Sequence, residues 1–272
     1  MMNIRIALLD MNNNHANQGF KNIKELSEAF RRGSRENISI ESFDVRSKNQ
    51  VPDIEDFDIF ISSGGPGNPH KEGLEWERKY TDFLDSIYGY NKSHDRKKYL
   101  FLICHSFQVA SIHWELGKIC KRESSSFGVI PIYKTQEAKD EFLFENLQEP
   151  FYGVDSRSFQ FIEPNHRRFE KLGMKIMAME NIHPHLNIER AVMAIRFSDE
   201  IFGTQFHPEA SPEAMIENLR DEKNKNVVIE NIGMQKYIET LDNIDKGHLI
   251  ATRAQILPRF LQFAKNNLLT IA

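Results

Sequence analysis

The chain has 272 residues, 27% of them charged and 40% hydrophobic, with a formal net charge of −4. That length is long for one domain and short for two large ones, so one α/β core with a terminal extension is expected. The near-balanced charge gives no reason to expect nucleic acid or an anionic membrane surface as partner.

The opening stretch MMNIRIALLDM carries one arginine and a short apolar run ending in aspartate. It lacks the length and flanks of a signal peptide or a membrane span, which points to the cytosol. Short apolar runs then alternate with helical patterns: IRIALLD, a helix near residues 18–32, ISIESFDV, DIFISSG, a helix near 71–88, and KYLFLIC. Strands separated by helix-length segments imply parallel strands joined by crossovers, hence an open doubly wound sheet with helices on both faces. YLFLIC is apolar on both parities, as a central strand covered on both faces must be. From about residue 127 strands follow more closely (FGVIPIY, FYGV, SFQFI, MKIMAM, AVMAIRF, IFGTQFH) and read as meanders completing or flanking the sheet. After residue 211 the chain turns helical, with Ile256, Leu257, Phe260, Leu261 and Ala264 at helical spacing. This divides the chain into an α/β domain over 1–210 and a C-terminal helical extension over 211–272, whose apolar stripe suits packing on the domain or a homodimer face equally. No repeat or low-complexity tract interrupts the pattern.

Two cysteines, Cys104 and Cys120, do not make a disulfide framework, so each needs its own explanation. In FLICHSFQVA (101–110) an apolar strand stops at Cys104. Ligands of open α/β sheets bind beyond the carboxyl ends of the strands. A helix starting at His105 or Ser106 would aim its free N–H groups at the sulfur and favour thiolate. Taken alone, the stretch fits a small buried hydrophobe as well. A second strand end carries ISSGGPGNP (61–69), where glycines allow positive φ and let backbone N–H groups face an oxyanion. A third segment, GTQFHPEA (203–210), holds His207 in extended backbone ahead of Pro208, with Glu209 two residues on and able to share its side. A carboxylate beside an imidazole fixes the tautomer and stabilises the imidazolium formed when the base takes a proton from a thiol.

At these three stretches the sequence resembles the class I (triad) glutamine amidotransferases, particularly stand-alone domains similar to the amidotransferase part of GMP synthetase. The similarity runs over approximately residues 3–210, and GTQFHPEA matches the family's Gly-x-Gln-Phe-His-Pro-Glu signature in full. The resemblance implies a flavodoxin-like fold and a triad of Cys104, His207 and Glu209. It implies an oxyanion hole from the Gly65 and His105 N–H groups, and a glutamine held beside Gly64, Gly67 and Gln108. The implied reaction is attack of the Cys104 thiolate on the glutamine side-chain amide, release of ammonia, and hydrolysis of the γ-glutamyl thioester. No cofactor is implied. In the family the ammonia passes to a synthetase partner, and no GxGxxG or Walker pattern stands in this chain to supply one.

Two departures stand out. Where the family elbow reads Gly-x-Cys-x-Gly-His-Gln, this chain has Leu102 and Ser106 in place of the glycines. Leu102 adds bulk that must be offset by a cavity elsewhere, and His105 would either place a second imidazole near the sulfur or, as the favoured expectation, cap a helix start in solvent. In VDSRSFQFIEP (154–164), Arg157 and Phe159 stand where relatives carry a Ser-His-x-Asp-type segment. Arg157 would give the pocket a cation suited to an extra substrate carboxylate, or lie solvated at a strand end.

The loop DMNNNHANQGF (10–20) is read either as a recognition surface for a polar acceptor or as a turn whose asparagines bond their own backbone. His183 and His185 lack a further placed ligand, so no metal is expected; Cys120 is expected to pack. Three functions compete on this reading: a glutamine-directed amidotransferase-like hydrolase, a γ-glutamyl peptidase or acyl transferase with the same triad, and a catalytically degenerate domain binding a metabolite or partner.

Overall fold

The computed structural model describes residues 2–15, 17–181 and 189–270. The chain runs β1 (Asn3–Asp10), α1 (Gln18–Gly33), β2 (Asn37–Asp44), α2 (Val45–Lys48), β3 (Ile59–Ser62), α3 (Glu75–Ser93), β4 (Tyr99–Ile103) and α4 (His105–His113). It continues through β5 (Lys118–Lys134), β6 (Phe151–Ile162), α5 (His166–Leu172), β7 (Lys175–Glu180), β8 (Val192–Arg196) and β9 (Ile201–Thr204). Four helices end it: α6 (Pro212–Arg220), α7 (Glu222–Ile232), α8 (Met234–Asp245) and α9 (His248–Thr270).

One nine-stranded sheet has the order β2-β1-β3-β4-β9-β8-β7-β5-β6. It is parallel from β2 to β9 and antiparallel from β9 to β6. Strand order reverses between β1 and β3, the switch point of a doubly wound α/β fold, and the carboxyl ends of β1, β3, β4 and β9 share one edge. The expected fold class is therefore what forms. FYGV and SFQFI, which read as separate strands, are one continuous β6. The helix expected near 71–88 begins four residues later, because Gly73 takes a φ of +83° and Glu77 caps the start by accepting from the Glu72, Gly73 and Leu74 N–H groups at 2.9–3.0 Å.

Both faces of the central strands are covered. One face packs α1 and α9 against Ile4, Ile6, Ile61, Phe101 and Phe202; Phe101 meets Phe202 and Phe260 with ring centroids 5.8 and 5.1 Å apart. Burial of one such ring contributes about 1.5–3 kcal/mol. The apolar stripe Ile256, Leu257, Phe260, Leu261 and Ala264 of α9 is fully buried in that core. The other face packs α3, α4 and α5, while α6 to α8 close a smaller cluster over β5 and β6 around Val129, Val154 and Tyr237. Cys120 packs at the margin of the first core. Among the described residues no helix is long and apolar enough to cross a membrane.

Candidate active site

β4 ends at Ile103 and α4 starts at His105, so Cys104 alone makes the turn. Its φ of 50° and ψ of −100° are sparsely populated for a residue with a side chain, at a cost of order 1–3 kcal/mol. The surroundings fix it there: its N–H donates to the Thr204 carbonyl of β9 at 2.7 Å, and its carbonyl accepts from the Gln108 N–H at 3.0 Å. Ser106, one of the two glycine replacements, is fully buried. Its hydroxyl donates to the Ser62 carbonyl of β3 (2.9 Å) and accepts from the Ile103 N–H (2.9 Å), latching the elbow to its neighbour strand. Leu102, the other, faces Gly203 in register on β9. A Cβ at Gly203 would lie 3.2 Å from the Leu102 Cβ, so the expected compensation is met by a missing side chain on the next strand.

β9 leads directly to His207, the candidate base. The His207 N–H donates to the Val154 carbonyl of β6 at 2.8 Å, and its Nδ1 pairs with Glu209 Oε1 at 2.7 Å. That leaves Nε2 on the side of Cys104, with which His207 shares a cavity wall, while the Cys104 sulfur itself donates weakly to the Ser156 carbonyl at 3.8 Å. Burial pushes the His207 pKa down, but the Glu209 carboxylate and the Cys104 sulfur outweigh it and hold the pKa well above 6.5. Glu209 is 1% exposed, and its backbone carbonyl accepts from Arg253 of α9. The sulfur also receives the Gln205 amide Nε2 at 3.5 Å. Gly64 lies against both His207 and Cys104: a Cβ there would lie 2.8 Å from the imidazole Cε1 and 3.3 Å from the Cys104 Cβ.

The glycine turn after β3 is equally constrained. A Cβ at Gly65 would sit 2.0 Å from the Met11 carbonyl oxygen, and Gly67 has a φ of +98°. The Gly65 N–H finds no acceptor among the described residues, and the His105 N–H is the first of α4, where helix geometry provides none. Arg46 of α2 braces the turn by donating to the Met11 carbonyl (3.2 Å) and the Pro66 carbonyl while lying over the Trp76 ring at 5.1 Å. Nothing in the sequence pattern marks Arg46. Gln205, by contrast, is legible as the glutamine inside GTQFHPEA.

His105 does not face solvent as expected. Its side chain is buried beside Trp76, with ring centroids 6.3 Å apart. Desolvation, then the Arg46 charge, push its pKa down to about 3, so the ring is neutral.

Two cavities meet at Cys104. The first, about 440 Å³, is lined by Gly65, Gly67, His105, Gln108, Ser156, Ser158 and Phe159, with Val228 and Ile232 of α7 as its outer wall. The second, about 460 Å³, lies toward His207 and Glu209 and is bounded by the start of α1 and by Met215 and Asn218 of α6. Gln108 reaches the first cavity, but its Nε2 is committed to the Phe159 carbonyl (3.1 Å) and Gln205 Oε1 (2.8 Å).

Arg157 corrects the expectation of a solvated strand end; it stands among the residues lining the first cavity, as a paired and buried cation rather than a free one. Its side chain is 1% exposed and pairs with Asp155 (3.0 Å) and Glu180 (3.0 Å). Along β6, Asp155 and Arg157 share the face opposite Ser156 and Ser158, so its charge is neutralised inside the protein. Phe159 lines the same cavity.

The asparagine loop divides. Asn12 donates to Asp10 (2.7 Å), and Asn13 and Asn14 take left-handed backbone at φ 52° and 62°, so these serve the turn. Asn17 caps α1 by accepting from the Phe20 N–H (3.3 Å) and, with Gln18 and Asn22, lines the second cavity. His183 and His185 lie outside the described residues. Among the described residues no group of three His, Cys, Asp or Glu could hold a metal ion.

The sequence profile of the family described as glutamine amidotransferase class-I matches residues 22–224. No curated protein sequence matches the chain. A glutamine amidotransferase from Thermotoga maritima superposes with a TM-score of 0.65 at 11% identity, over 96% of this chain and 97% of that one. The crystal structure of SMU.1228c gives 0.63 at 17% identity, over 97% and 100%. The glutaminase domain of Trypanosoma brucei CTPS, solved with bound acivicin, gives 0.52 at 14%, over 76% and 86%. At such identities these likenesses concern the fold.

Proposed function

The chain belongs to the class-I glutamine amidotransferase family, and from that premise we propose that it hydrolyses the side-chain amide of glutamine through a γ-glutamyl thioester on Cys104. The observation that carries this reading is the elbow: a cysteine held at φ 50°, lining one cavity with an imidazole whose Nδ1 is fixed by a buried carboxylate 2.7 Å away.

In this reading the Cys104 sulfur attacks the amide carbon, and the oxyanion accepts from the Gly65 and His105 N–H groups. Each such donor is worth about 2.7–4 kcal/mol in the barrier. The C–N bond then breaks, His207 delivers its proton to the departing amine, and ammonia leaves. Water, deprotonated by the same imidazole, attacks the thioester; glutamate leaves and the thiolate is restored. Glu209 keeps Nδ1 protonated and the ring oriented throughout. The glutamyl part occupies the cavity of Gly67, Gln108 and Phe159, and released ammonia is available to a synthetase partner. Site residues and partner are both part of the proposal. A catalytically inert reading loses its main motive, since Ser106 and Gly203 accommodate the two elbow replacements.

The test is ammonia release from glutamine together with mass-spectrometric labelling by a glutamine-mimicking electrophile. The native protein should release ammonia and take one label, on Cys104; Cys104→Ser should lose at least ~10⁴-fold of the turnover. A native protein left unlabelled at Cys104 would remove the mechanism.

A further inference from the structure

Ammonia needs little space to leave. A departing molecule of that size occupies roughly 30 Å³, yet the cavity on the imidazole side of Cys104 measures about 460 Å³, within the range of small-molecule sites, about 300–1,000 Å³. Its position matters as much as its size. His207, the group that protonates the leaving nitrogen in the proposed reaction, forms part of its wall, whereas the glutamyl part is assigned to the other cavity. Whatever is attached to the amide nitrogen must therefore extend into the imidazole-side cavity.

The lining gives the chemistry of that attachment. Asn17, Asn22 and Asn218 contribute amides, Met215 an apolar patch, Glu209 a carboxylate and His207 its imidazole, with no lysine or arginine among the described lining residues. The second oxygen of Glu209, buried and 1% exposed as a side chain, has no hydrogen-bond partner. Such a wall, rich in amide donors and acceptors, suits a hydroxyl- or amide-bearing group.

We infer that this cavity is a leaving-group site, and that the protein acts on γ-glutamyl amides whose nitrogen carries a small neutral polar substituent in preference to glutamine itself. This rests on the proposed triad chemistry and specifies its substrate. The step balances as before: the Cys104 sulfur bonds to the carbonyl carbon of the γ-glutamyl amide, the C–N bond breaks, and the His207 proton goes to the nitrogen, which leaves as a primary amine R–NH₂. Water then cleaves the thioester to glutamate and returns the proton to the imidazole. Asn22 and Met215 act by holding R.

The experiment compares kcat/KM of the full-length protein for glutamine, γ-glutamylethanolamide and γ-glutamylglycine, with Cys104 labelling measured alongside. The ethanolamide should exceed glutamine by at least about tenfold, the order that one well-fitted group supplies, and γ-glutamylglycine should fall below the ethanolamide. Met215→Trp, which fills the cavity, should abolish the ethanolamide's advantage through a raised KM; Asn218→Trp gives the same reading if the first variant misfolds. If glutamine is turned over and Cys104 labels but the ethanolamide is slower than glutamine, the leaving-group site is overturned while the triad reading stands. If Cys104 does not label and no amide is cleaved, both fall together.

Discussion

The two halves of the sheet solve the same problem with different materials. From β2 to β9 the strands are parallel and held by apolar side chains, with Ile6, Ile59, Phe101 and Phe202 fully buried. From β9 to β6 they are antiparallel, and a buried ionic cluster ties three of them: Arg157 and Asp155 on β6, Glu180 on β7, and Arg122 on β5, 3.4 Å from Glu180. Burial pushes the Glu180 carboxyl up, but Arg157 and Arg122 reverse this and hold it below its ordinary value. Cys104 and His207 stand just beyond the ends of the parallel strands β4 and β9. The wall of the first cavity stands on β6, whose opposite face is the ionic cluster. Packing thus fixes the proposed nucleophile and base, and charge fixes the wall beside them.

That contrast breaks most directly at Arg157. Arg157→Met leaves the buried Asp155 carboxylate without its cation and Glu180 with Arg122 alone and should cost ~3–5 kcal/mol, read as a lowered midpoint in urea unfolding; a loss below about 1 kcal/mol would mean that packing holds both halves. Ser106→Ala, on the parallel side, removes one hydroxyl but leaves the Ile103 N–H and Ser62 carbonyl buried. About 1–3 kcal/mol should be lost, and labelling of Cys104 should slow as its turn loosens. Smallest in stability is Glu209→Gln, which sharpens the comparison through pH. In the proposed reaction the imidazolium is the proton donor to the leaving amine, and Glu209 raises the His207 pKa, so activity should persist above pH 6.5 and decline as pH rises through that raised value. Without the carboxylate the alkaline limb of the kcat/KM profile should move to lower pH. The raised pKa also means that the folded state gains stability from the protonated ring below pH 6.5 and loses it with rising pH. A limb unmoved in Glu209→Gln would show that Glu209 does not govern the imidazole.

Much of the parallel half was legible because its strands are short apolar runs bounded by helices, and because SGGPGNP, the cysteine elbow and GTQFHPEA lie at strand ends where the fold collects ligands. The antiparallel half was harder. Reading SFQFI as a strand apart from FYGV hid the alternation that puts Arg157 on the face of Asp155, away from Ser156 and Ser158; one continuous strand would have shown it. The cluster itself needs β5 and β7 as neighbours of β6 or of each other, and strand order is not written in local pattern. His105 looked solvent-bound because polar residues at helix starts usually are, and only the position of Trp76 on α3 reveals its burial. Arg46 braces the glycine turn from a four-residue helix far away in sequence, which no spacing rule anticipates.

The pairing of β4 with β9 has a consequence for synthesis. Gln205, which contacts the sulfur, lies 101 positions after Cys104, and β8, β7, β5 and β6 come between those two strands in the chain or beside them in the sheet. A ribosome delivers residues in order, so the thiol emerges long before its imidazole exists. A nascent chain therefore carries this cysteine without its His207 neighbour, and the proposed active site is assembled only once nearly the whole sheet is available to close.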